Sequence, residues 1–170
     1  MHAENTPLSP AQNSTIQLDP HRLEELVGNV VEQVTRKMAR VDLCQAKDAP
    51  DQNSDTYSVW TTIESPYHLR LLVCAEQSFL RRCMENMLGE SSSDPADLED
   101  CTMEFFNVLC GRLVGEIFQE SHAGAWFPIP NFAHSFYTDA IGAGQSGSLV
   151  CFISDRREHM AVFFSTEKSA

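Results

Sequence analysis

Basic side chains are scarce in this sequence. Twelve Lys and Arg stand against twenty-four Asp and Glu in 170 residues, a formal charge of −12. The pairs Arg81-Arg82 and Arg156-Arg157 are too short to form a counterion-releasing footprint, which excludes a DNA or RNA backbone as partner. No run of eighteen apolar residues could span a bilayer, and no apolar segment near the N-terminus has the form of a secretion signal. A cytoplasmic protein with no membrane insertion is expected, and the Asn13-Ser14-Thr15 triplet is then a chance glycosylation match. The six cysteines, at 44, 74, 83, 101, 110 and 151, form no C-x-x-C pair. Four lie in apolar segments, where a reduced thiol behaves as a small hydrophobe. A GxxxxGK phosphate loop is also missing.

What is present is globular. Hydrophobic residues make up 42% and charged residues 21%, enough to build one core over this length. Residues 1–18 are polar and without period, and read as a tail; 19–166 read as one domain, and 167–170 as a second short tail. Asp19-Pro20 and Asp94-Pro95 are two helix starts of one kind, with an Asp cap and a Pro in the first turn. After the first, Leu23, Leu26, Val27, Val30, Val31, Val34, Met38 and Val41 keep the spacing of a buried stripe, predicting a helix of about 20 residues. Residues 43–56 read as irregular, and 57–63 with 67–74 as a hairpin turning at Ser65-Pro66. A shorter helix around Phe79–Met87 stops at Gly89, and a third runs from Pro95 to about Gln119. Short aromatic segments at 124–129 and 132–137, a Gly-rich stretch at 140–147 and two strands at 148–154 and 160–165 complete the chain. The fold class is α+β, a two-layer α/β sandwich. Two long helices cover a mostly antiparallel sheet, with a loose repeat of helix then strands.

The third helix has two faces. At about 100° per residue, Asp100, Glu104, Asn107 and Gly111 fall within about 60° of one another, opposite Met103, Phe106, Leu109, Cys110, Leu113 and Ile117. Acids and amides on an exposed helix face are commonplace. A glycine inside a helix is not, since it costs about 1 kcal/mol against alanine. Gly111 stands one turn beyond Asn107, where a missing side chain lets another surface approach. The strip has no nucleophile beside a base, and His122 and His134 show no ligand spacing. An amide can still hold a water by donating one hydrogen bond and accepting another. That serves phosphoryl hydrolysis when a partner supplies the metal and the lysine.

Asp100-x3-Glu104-x2-Asn107, followed after twenty-two residues by Pro130 and accompanied by Gly111, resembles the signature of the CheC/CheX/FliY family of bacterial chemotaxis phosphatases. The likeness covers roughly 20–166 and is nearest to the CheX branch. It implies dephosphorylation of the phospho-aspartate of a CheY-like response regulator. Asn107 would aim the attacking water, and Glu104 would pair with the receiver's lysine and orient it. Asp100, Gly111 and Pro130 would join Glu104 in partner binding. The resemblance implies no metal or cofactor in this chain, with Mg2+ held by the receiver. It also implies a homodimer formed through edge strands, for which 148–154 and 160–165 are the candidate edges. Relatives with two sites carry a second motif on the first helix. Here Glu25 and Asn29 are four apart rather than three, so one site is expected.

Two other readings remain open at this level. One is an adaptor that docks on a receiver without turnover; the other is a flagellar-switch component, disfavoured by the short chain. The aromatics at 126–137 are expected in the core or a dimer contact, with a partner contact as the alternative.

Overall fold

A computed structural model of the chain describes residues 19–65, 68–137 and 146–166. The tails, the Pro66-Tyr67 turn and residues 138–145, which hold most of the Gly-rich stretch, lie outside these residues. The elements run α1 (Pro20–Val34), a π-helical turn (Thr35–Ala39), β1 (Leu43–Ala46), β2 (Asp55–Ile63), β3 (Leu69–Glu76), α2 (Gln77–Leu88), α3 (Pro95–Ser121), β4 (Asn131–Phe136), β5 (Ser148–Ser154) and β6 (His159–Thr166).

Both Asp-Pro starts behave as capped termini. The Asp19 carboxylate accepts from the His21 N–H, and that of Asp94 from the Ala96 N–H at 2.9 Å. The first helix tightens its stripe of Leu and Val onto the sheet and then changes register. Thr35 Oγ1 bonds back to the Val31 carbonyl at 2.7 Å, and the next turn is π-helical. Arg40 ends it in the left-handed region, while Asn86 of α2 donates to the Ala39 carbonyl at 2.7 Å. Arg36, Lys37 and Arg40 bring exposed cations together on this turn.

The sheet is antiparallel throughout, in the order β1-β5-β6-β3-β2-β4. Exchanging the first three strands for the last three reverses that order, so the loose repeat is a pseudo-twofold between β3 and β6. Each half lends its first strand to the other, β1 to β5 and β4 to β2. Two expectations are corrected here. Residues 43–46 are a strand rather than irregular, formed only because β5 offers an edge. The strands at 148–154 and 160–165 are interior; the outer strands are β1 and β4.

Val73, Val162, Val150 and Phe152 point to the helices and join the stripes of α1 and α3 in the main core. The opposite face is also covered. Leu72, Cys74, Cys151, Ala161 and Phe163 are buried with Tyr137, and Ala49 from the β1–β2 connection packs on them.

All six cysteines are free, and 74, 83, 110 and 151 are buried. Burial pushes the thiol of Cys74 up to about 11 and those of Cys83 and Cys110 up to about 12. Groups raised in the folded state stabilise it fully below the ordinary thiol value near 9.0, and that contribution disappears as the pH climbs toward 11–12. The unfolding midpoint is therefore expected to fall steeply above pH 9. At pH 8 a thiol reagent should label Cys44 at once and Cys101 more slowly, with the other four reacting only in denaturant. Rapid labelling of more than two thiols in the native protein would contradict this packing.

Candidate functional site

The site is built on α3, held at both ends. Ser92 Oγ donates to the Asp97 carboxylate and accepts from the Asp94 N–H at 3.1 Å, which fixes the first turn. At the far end His122 adopts a left-handed conformation and its N–H reaches the Phe118 carbonyl at 2.8 Å. Between them Leu98, Thr102, Phe105, Phe106, Leu109, Cys110, Leu113 and Ile117 are buried. The first turns pack on α2, where Leu80, Cys83, Met84 and Met87 face Cys101, Thr102 and Phe105. The other long helix lies antiparallel alongside: Arg22 near its start pairs with Glu120 near the end of α3, Nε to Oε1 at 2.9 Å.

Opposite the buried face, Asp100, Glu104 and Gly111 are exposed and Asn107 is half-buried. The helix therefore brings four of the five expected residues to one strip. Among the described residues nothing engages the side chains of Asp100, Glu104 or Asn107, so two carboxylates and an amide are presented with their hydrogen-bonding capacity unused. A Cβ added at Gly111 would meet nothing within 4 Å, so no contact among the described residues requires that glycine. The acidity of the strip reaches its neighbours: burial, then the charges of Asp97 and Asp100, hold the Cys101 thiol above its ordinary value.

The fifth residue, Pro130, is not on the strip. It is buried in the segment that leads into β4. Here the chain follows β2 beyond the strand proper, with Glu64 and Trp126 exchanging N–H···O bonds of 2.7 and 3.0 Å. Thr61 Oγ1 donates to the Pro128 carbonyl at 3.3 Å.

On the first helix, Asn29 is exposed but Glu25 is taken up by Arg22, with Nη1 to Oε2 at 2.8 Å. A second free acid–amide pair like that of α3 is therefore not formed there. The aromatic segment at 126–137, expected in the core or at a contact with another chain, divides between buried and exposed side chains. Phe127 and Phe132 pack on the core and Tyr137 is buried, whereas Trp126, Ile129 and Phe136 are 63%, 86% and 53% exposed. Tyr57 stacks on Phe132 and tilts against His134, whose ring contacts the Asp55 carboxylate. No cluster of three or more metal-ligating side chains occurs among the described residues, and no described helix is long and apolar enough to cross a membrane.

A two-layer fold of antiparallel sheet and helices like this one recurs among solved structures. The chemotaxis protein CheX of Vibrio vulnificus superposes with a TM-score of 0.73 at 16% identity, over 89% of this chain and all of the other. This chain has the fold shared by CheX, CheC-like proteins and FliY. A CheX from Desulfovibrio desulfuricans gives 0.70 at 15% identity, over 85% of this chain and 99% of its own. The CheX–CheY–BeF3–Mg2+ complex of Borrelia burgdorferi gives 0.69 at 12% identity, over 89% and 99%. No protein-family model and none of the curated proteins matches the sequence. At these identities the likeness to CheX and its CheC and FliY relatives is one of architecture.

Proposed function

We propose that this protein accelerates hydrolysis of the phospho-aspartate in a CheY-like receiver domain. The observation that carries the reading is the Glu104–Asn107 pair on α3, unengaged among the described residues and one turn before a glycine that none of their contacts requires. In this reading Asn107 enters the receiver's acidic pocket, and its amide holds a water by one donated and one accepted hydrogen bond, aimed in line at phosphorus. The geometry does the chemistry, because an aligned near-attack arrangement alone can supply several powers of ten. Glu104, one turn earlier, meets the receiver's lysine and fixes the angle of approach, and Asp100 extends that acidic contact. Gly111 leaves room for the receiver's backbone. The Mg2+ that neutralises the phosphoryl oxygens belongs to the receiver, and this chain brings no metal of its own. The setting is cytoplasmic signalling, where such receivers operate.

The test is the decay of a phosphorylated CheY-type receiver with Mg2+, alone and with this protein. Acceleration that is lost in Asn107→Ala supports the mechanism. Binding without acceleration would replace it by the adaptor reading, in which the same strip docks and does nothing further.

In the same reading two copies of the chain pair along β4. Strand β4 is an outer strand, and its flank carries the exposed Trp126, Ile129 and Phe136. Pairing of two such edges would satisfy open backbone groups and cover apolar surface together. The native chain is expected to sediment as a dimer, and Ile129→Lys as a monomer. An unchanged mass in the variant would move the interface elsewhere.

A further inference from the structure

The strip on α3 does not stop at Gly111. Four residues on, Gly115 is again exposed and again meets nothing within 4 Å of an added Cβ. Three residues later Phe118 is 51% exposed, and Val108 at the edge of the same line is 38% exposed. Asn107, Gly111, Gly115 and Phe118 follow one another at four, four and three, the spacing of a single helix face. From Asp100 to Phe118 the face is about 27 Å long. It changes character along its length: acidic at Asp100 and Glu104, polar at Asn107, bare backbone at Gly111 and Gly115, aromatic at Phe118.

Among the described residues no contact requires either glycine, and the ring contact of the aromatic is made at its edge. Two glycines inside one helix each weaken it, and neither makes room for another part of the described chain. Phe118 touches the His122 ring edge-on, with centroids 6.4 Å apart, and otherwise leaves half of itself to water. A large aromatic beside bare helix backbone is the arrangement of an apolar anchor at a close-packed interface.

We propose that the same receiver domain docks along the whole of this face, on Gly115 and Phe118 as well as the acidic strip. This rests on the phosphatase reading for its occupant. Continuity is the reason for choosing that occupant over a second copy of this chain. A body seated by Asn107 must overhang the next turns of α3, whereas a second copy on this face would bury Glu104 and Asn107. The two ends then divide the work. Glu104 and Asn107 supply orientation and water, while Gly115 and Phe118 supply affinity that is the same in ground and transition states.

The experiment uses the full-length protein, the variants Phe118→Ala and Gly115→Gln, and a CheY-type receiver loaded with beryllofluoride and Mg2+ for binding or phosphorylated for turnover. Each variant should weaken binding and raise KM by about tenfold, with kcat within twofold of native. The Phe118→Ala loss should persist at high salt, because an apolar contact is not screened as the acidic end is. Circular dichroism and melting of each variant keep a folding defect separate, and Gly115→Gln should melt no lower than native. Binding and KM unchanged in both folded variants overturn the proposal. So does failure of the native chain to bind the loaded receiver. Loss of binding in the variants without any turnover by the native chain would keep the docking surface and remove the phosphatase reading instead. Self-association abolished by Phe118→Ala would hand the face to a second copy. Receiver binding that rises several-fold on removing residues 1–18 would hand it to that segment. Either result overturns the proposal.

Discussion

Asn107→Ala should lower the acceleration of phospho-receiver decay by about a hundredfold or more, with little change in stability. The size follows from what is lost: an attacking water no longer held in line, for which misplacement by about an ångström already costs on the order of 10²-fold. The small effect on folding follows from the surroundings. Asn107 is half-buried, its amide bonds to nothing among the described residues, and alanine is the better helix former. Asn107→Asp sharpens the test. It keeps the size and the acceptor but removes the N–H donor and adds a negative charge facing the phosphoryl group, so it should be at least as inactive. Glu104→Gln keeps the shape and loses the ion pair with the receiver's lysine. It should raise KM more than it lowers kcat, and the rise should shrink as salt is added. Undiminished turnover in Asn107→Ala would sink the water-positioning role whatever the fold resembles.

The second large effect concerns the scaffold. Arg82 of α2 is only 10% exposed and reaches two carboxylates at the β5–β6 turn, Asp155 at 2.8 Å and Glu158 at 2.6 Å. Glu158 is itself 11% exposed and accepts from Ser154 Oγ at 2.7 Å. The distance from Arg82 Nη2 to Glu158 is that of an ion pair although the angle is not that of a hydrogen bond, and Arg82 Nε is buried without a partner. Removing one member of such a buried pair strands the other. Arg82→Ala is expected to cost about 3–5 kcal/mol and to lower Tm by roughly 10 °C for a domain of this size. The loss should be partly recovered in Arg82→Met combined with Glu158→Gln, where no buried charge is left unpaired. Thermal melts of the two variants decide this, and equal melting points would show that the pair contributes packing alone. Arg82 also holds the exposed Asp155 carboxyl below its ordinary range through a hydrogen bond. That contribution is present above the usual carboxylate pKa and disappears as the pH falls through the lowered one. Because α2 packs on the first turns of α3, loosening it should also blur the position of Glu104.

The helices were legible because everything that specifies them is local. Asp-Pro caps, a three-four apolar stripe and a closing glycine lie within a few turns of one another, and the structure places α1, α2 and α3 within a few residues of those signals. The strip from Asp100 to Gly111 was legible for the same reason, since a helix converts spacing directly into facing. The hairpin of β2 and β3 and the short apolar runs of β5 and β6 were readable on the same terms.

Strand order was not. Which strand lies next to which depends on contacts between residues more than a hundred positions apart, such as Leu43 opposite Ser154. The four residues of β1 carry no periodic signal of their own and become a strand only by pairing with β5. The outer position of β4, and with it the exposure of Trp126, Ile129 and Phe136 against the burial of Tyr137, follows from that order rather than from composition. Pro130 shows the same division. Its spacing from Asn107 is a fact of the sequence, but only the packing of the segment along β2 decides that it is buried. By itself, then, the sequence determined three capped helices and the chemistry of one exposed face. The tertiary structure alone decided which edges, rims and neighbours surround that face, because sheet pairing and burial are settled by residues that meet only when the chain is folded.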